Sequence, residues 1–203
     1  MKSSDFGRFA GLLSILAGIS GFLYAVSFVV IARSMPELGA LLAALFLLLG
    51  GLFASAALVA LFERVHQSSF GFALWAVVLS LVGALGSAAH AGYDLSNALH
   101  PAAENIPFLA DLPNQVDPRG LLTFGLAGIG LLVFAWLLSK DTAFPKGLSI
   151  VGYVSAALLI IIYLARLIIL DATNPVLLVT VLLEGFIVNP LWYIWLGLSL
   201  RRS

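Results

Sequence analysis

Six times along this chain an apolar run of about twenty residues or more passes between polar breaks, and that pattern sets the fold before any single residue does. A helix needs about 20 mostly apolar residues to cross the roughly 30 Å hydrocarbon core of a bilayer. The runs predict spans at about 9–32, 38–62, 70–97, 120–139, 147–170 and 175–200, an all-α polytopic transmembrane helix bundle in a single domain, 1–203. Composition agrees, with 62% hydrophobic residues, 10% charged and a mean hydropathy of +1.10. The lipid bilayer is therefore the first expected partner.

The first run follows Lys2 and Arg8 but is longer than a signal-peptide core, and it ends in Arg33-Ser-Met-Pro36 without a small-residue cleavage pattern, so it reads as a retained helix. The third approaches 30 residues, about 45 Å of helix, and is expected to protrude from the membrane. After it comes the one soluble-like segment, an outer loop at 98–119 with Pro101, Pro107, Pro113 and Pro118 among Glu104, Asp111 and Asp117. Asn174-Pro175 is a good start for the sixth helix, asparagine as cap and proline at the first helical position. The turns before Phe70 and Phe144 echo each other at an offset of about 75 residues, a likeness that two short hairpins of apolar helices also produce by chance.

Lysines and arginines in the short loops and tails set orientation. Lys2, Arg8, Arg64, Lys140, Lys146, Arg201 and Arg202 lie on one side, and only Arg33 and Arg119 on the other. This asymmetry predicts a multi-pass protein of the cell membrane with both termini cytoplasmic. Trp136, Trp192, Tyr193 and Trp195 lie toward the same side, where amphipathic rings favour the headgroup region.

The composition also removes function classes. Ten basic and ten acidic residues give zero net charge and no footprint for nucleic acid. Without cysteine there are no disulfides, thiolate metal sites or cysteine nucleophiles, and three histidines do not make a multi-haem cytochrome. No Walker sequence, nucleophile elbow or zinc-spaced cluster occurs, so no cofactor and no metal is expected.

Ionisable residues inside spans are costly and usually face the bundle interior, which makes each a site candidate. Arg166 and Glu184 occupy neighbouring helices joined by the turn at Asp171 to Asn174, at depths about 8 to 9 Å apart with side chains leaning toward each other. They read either as a ligand site or as a clasp between helices, with Arg166 alternatively snorkelling to the headgroups. On the third helix Gly83, Ser87, His90, Asp94 and Asn97 make one small, polar face. His90 and Asp94, at i and i+4, suit a structural pair, a proton relay or a ligand contact. Tyr24 and Ser27 on the first helix and Tyr163 on the fifth fall in the same outer half, so the set is expected to line an outward-facing polar pocket. Pro190 is expected to kink the sixth helix just past Glu184 by removing the bond to the Phe186 carbonyl. Gly50, Gly51, Gly125, Gly128 and Gly130, with the pairs Ala17/Gly21 and Gly83/Ser87, read as close helix packing.

The opening Arg8-Phe-Ala-Gly11-Leu-Leu and the ending Glu184-Gly-Phe-Ile-Val-Asn-Pro190-Leu-Trp192-Tyr-Ile-Trp195-Leu-Gly197 resemble an uncharacterised bacterial family of small polytopic integral membrane proteins, a domain of unknown function. That resemblance implies a bacterial inner-membrane location and no transferable activity. Three functional readings follow from the residues: a pocket that binds or moves a small molecule or lipid, an accessory or structural subunit docked on a membrane-protein partner, and an intramembrane enzyme built on His90, Asp94, Arg166 and Glu184. The first is preferred, because the enzyme reading has only those four residues to stand on.

Overall fold

A computed structural model describes residues 5–99, 116–117, 119–169 and 174–202. Six helices in it are long and apolar enough to cross a membrane: α1 Asp5–Ser34, α2 Pro36–Val65, α3 Phe70–Leu99, α4 Leu121–Lys140, α5 Lys146–Ile168 and α6 Pro175–Arg202. The protein is thus a polytopic membrane protein. Several helices overrun the apolar runs by a few residues, because hydrogen bonding continues through polar residues such as Asp5 and Glu63 where hydropathy has already fallen. Most of the predicted outer loop, 100–115 and 118, lies outside the described residues, as do 170–173 in the turn before α6.

Local chemistry fixes the starts. Pro36 opens α2, and at α6 the Asn174 side chain accepts the Val176 N–H at 3.0 Å ahead of Pro175. At α4 the signal is less usual. Gly120, at φ +79°, turns the chain, and buried Asp117 accepts the N–H groups of Leu122 (3.0 Å) and Thr123 (2.8 Å). One carboxylate thereby satisfies two donors that a helix start leaves open.

The six helices form a ring in chain order, each packed on its neighbours in sequence, with α6 closing against α1. Small residues permit this. Gly51 of α2 lies on the Ala84 backbone of α3, Gly130 of α4 on Ser80 of α3, Gly152 of α5 on Trp192 of α6, and Gly18 of α1 on Pro190 and Ile194 of α6. The interior is rich in Ala10, Ala57, Ala73, Ser14 and similar side chains, while Phe28, Phe70, Ile150 and Ile168 face outward, the distribution a lipid-solvated bundle requires.

The ring is not filled evenly. At the end that carries the termini, Leu61, Val65, Phe134, Leu137, Leu148, Leu196 and Leu200 are buried to within 1% and make a continuous core. Toward the opposite, distal end only a small cluster of Ile162, Ala165 and Leu177 is closed, and the centre is hollow.

Candidate functional site

The hollow is a cavity of about 530 Å³ to which all six helices contribute. Along α1 its lining runs from Ala17 to Val29, twelve residues or about 18 Å of helix. Its walls are largely aliphatic and aromatic, with Phe46, Leu47, Leu159 and Val181 among them, and among the described residues the ionisable acids and bases in the lining are Arg119, Arg166 and Glu184.

Glu184 is placed by a change in helix type. Three stretches widen from α to π geometry, Ser27–Ile31 in α1, Leu121–Leu126 in α4 and Glu184–Val188 in α6. In the last, the Asn189 N–H bonds the Glu184 carbonyl five residues back. The expected disturbance by Pro190 takes this form: the wide turn immediately before the proline makes room for a ring that would clash with the carbonyl of residue 186 in a regular helix.

The Glu184 side chain is 4% exposed. Its Oε1 accepts a 2.5 Å hydrogen bond from Ser155 Oγ of α5. The Asn189 carboxamide approaches the same carboxyl, yet Oε2 has no hydrogen bond of normal geometry. A buried carboxyl oxygen without a partner is expensive, and the Asn189 carboxamide is the protein group beside this one.

Arg166 does not supply that partner. Arg166 lies over the Phe124 ring, 5.3 Å from its centroid, within cation–π range, and makes no ion pair with Glu184. The arms of the α5–α6 hairpin are not level. Leu177, in the first turn of α6, clusters with Ile162 and Ala165 rather than with the end of α5, and Glu184 meets Ser155. Arg166 is eleven residues from Ser155 (166 − 155), so its backbone lies about 16 Å in depth from the level where Glu184 is held rather than 8 to 9 Å. That is beyond the reach of a direct clasp.

Tyr24, Arg166 and Glu184 thus line one cavity, and Tyr24 stacks on Phe28 at 5.8 Å. The other candidates fall elsewhere. His90 Nε2 and Asp94 pair at 3.1 Å with side chains 28% and 43% exposed, and neither lines the cavity. Tyr163 packs its ring against Gly125 of α4, and Ser27 turns its hydroxyl back to the Leu23 carbonyl at 2.7 Å. Among the described residues no group of three His, Asp or Glu side chains is placed to hold a metal ion.

Sequence reasoning passed over Ser155, Arg119 and Asp117. A serine in an apolar span and an arginine beside a proline carry no signal of their own, and equal hairpin arms set Glu184 opposite Ile161 rather than Ser155.

Fold and cavity together define a class, a six-helix membrane protein built as a ring around a chamber. No protein-family model, curated protein or solved structure matches the chain, so nothing narrower comes from comparison.

Proposed function

We propose that this protein binds, and by binding moves, a small molecule or lipid in the central cavity. One observation carries the reading: all six helices line one largely apolar chamber, with a buried carboxyl, Glu184, in its wall. Ligand pockets are mostly apolar with a few placed polar groups, and this cavity has that composition and a volume within the usual range of about 300–1,000 Å³. The accessory-subunit reading loses support because many of the small-residue faces it needed for docking, Gly51, Gly83, Gly128 and Gly130 among them, are spent on contacts within the chain.

The excess of lysine and arginine at the terminal end supports cytoplasmic termini, so that the hollow end faces outward, and the family resemblance supports a bacterial inner membrane. The chain has no cysteine, so single replacements report sidedness. Ser34→Cys, exposed at the distal end, should react with an impermeant maleimide in intact cells, and Ser68→Cys only after permeabilisation. The reverse pattern refutes the orientation.

For binding, the protein extracted in mild detergent should carry a stoichiometric small molecule or lipid visible by native mass spectrometry. Leu47→Trp, which fills the cavity from α2, should remove it without unfolding the bundle. Equal occupancy in both proteins would refute the assignment.

A further inference from the structure

The charges lining the cavity are sorted by depth. Arg166, in the last turn of α5, and Arg119, just before α4, are its two cationic residues and both lie toward the distal end. Neither forms an ion pair among the described residues. The single carboxyl, Glu184, is about 16 Å deeper than Arg166 by the register above. Between the two levels the wall is supplied by side chains such as Leu159, Ile162, Leu178 and Val181. Trp192 lies at the bottom against Gly152, fourteen residues (166 − 152) or about 21 Å below Arg166.

Two guanidinium forks beside one end of an apolar passage suit a carboxylate or phosphate, to which arginine donates two parallel hydrogen bonds. The passage beneath suits an alkyl chain, which asks for no hydrogen bonds. The two arginines fix the direction, since both lie toward the distal end and draw an anionic head there. We infer that the cavity takes an anionic amphiphile, its carboxylate or phosphate head held by Arg119 and Arg166 and its alkyl chain running inward past Glu184 toward Trp192. The inference rests on the cavity being a ligand site, and it names the chemical class of that ligand.

The test uses Trp192 as the reporter. Trp75, Trp136 and Trp195 are replaced by Phe, which leaves Trp192 as the single tryptophan of the four. In phosphatidylcholine nanodiscs the protein is titrated with hexadecanoate, hexadecyl phosphate and hexadecanol, each brominated at the chain end. Both anions should quench Trp192 saturably, and the alcohol should bind about tenfold more weakly or worse, the loss expected when hydrogen bonds to a charged group are not made. Arg119→Gln and Arg166→Gln should each weaken the anions by about tenfold and leave the alcohol unchanged. Inorganic phosphate at millimolar concentration should not displace the anions. Displacement would make this a free-phosphate site and overturn the chain assignment. Equal, saturable quenching by alcohol and anions overturns the head assignment while the cavity stands as a ligand site. Quenching that rises without saturation for all three reports bilayer partitioning and overturns both. If the triple replacement does not fold, native mass spectrometry of the unaltered protein with the same three compounds reads the same order of affinity.

Discussion

Alanine at Gly18 tests the ring directly, because its effect can be worked from contact distances. A Cβ at Gly18 would lie 2.8 Å from the Pro190 carbonyl oxygen, 2.9 Å from Ile194 Cγ1 and 3.3 Å from the Ile194 backbone nitrogen. Carbon to carbonyl-oxygen contacts settle near about 3.3 Å or more, so α1 and α6 must part by about half an ångström. The carbonyl is backbone and cannot rotate aside. Overpacking of this kind costs about 1–3 kcal/mol, and a gap of that size along the rest of the seam loses about a quarter of each dispersion contact it opens. Gly18→Ala is therefore expected to destabilise by about 2 kcal/mol. Gly50→Ala is the control, since its Cβ would meet only Ser20 Cβ, at an ordinary 3.5 Å, on the hollow side of α2. There the gain in helix propensity, up to about 1 kcal/mol, should stand alone. Reversible unfolding by dodecyl sulfate in mixed micelles should separate the two variants by about 2–3 kcal/mol. If they unfold within about 0.5 kcal/mol of each other, below the smallest overpacking cost, the ring is not closed by glycine contact and the argument fails.

Three further variants probe the site and its frame. Ser155→Ala removes a hydrogen bond to Glu184 Oε1 and should cost about 1–3 kcal/mol in the same unfolding assay; with Glu184→Leu already in place the added cost should nearly vanish, and strict additivity would deny the pairing. Asp117→Ala frees the Leu122 and Thr123 N–H groups and should destabilise by about 1–2 kcal/mol, with loss of amide protection at the start of α4 by hydrogen exchange. Full protection there would refute the capping role. His90→Ala breaks a half-exposed pair and should change stability by less than about 1 kcal/mol and leave ligand occupancy unchanged, because His90 does not line the cavity. Loss of occupancy would return His90 to the site.

The spans were legible because hydropathy is a local property, and each helix carries its own record of crossing lipid. Which residues share a chamber is a matter of register between helices, and that was only half legible. Arg166 and Glu184 announced themselves by charge, but the unequal arms of the α5–α6 hairpin, set by the contacts of Leu177, decide that they lie too far apart to pair. Gly50 and Gly51 look identical in sequence and both border the cavity, yet Gly51 abuts the α3 backbone at Ala84 while a Cβ on Gly50 would meet only Ser20. Asp117 escaped notice among the acidic residues of its loop because it serves amide groups five and six positions on, a spacing that fits a π-type first turn and not the usual cap.

Because α6 closes the ring on α1, α1 finds one of its two neighbours only when α6 is made. Until then five helices form an open arc, with Gly11 and Gly18 turned to lipid and no enclosed chamber. Glu184 reaches its place in the same final step, and Ser155 on α5 is already there to receive it. Assembly of the cavity is thus tied to the arrival of α6: without it the other five helices are an arc without a site, and with it the carboxyl and the enclosure come together.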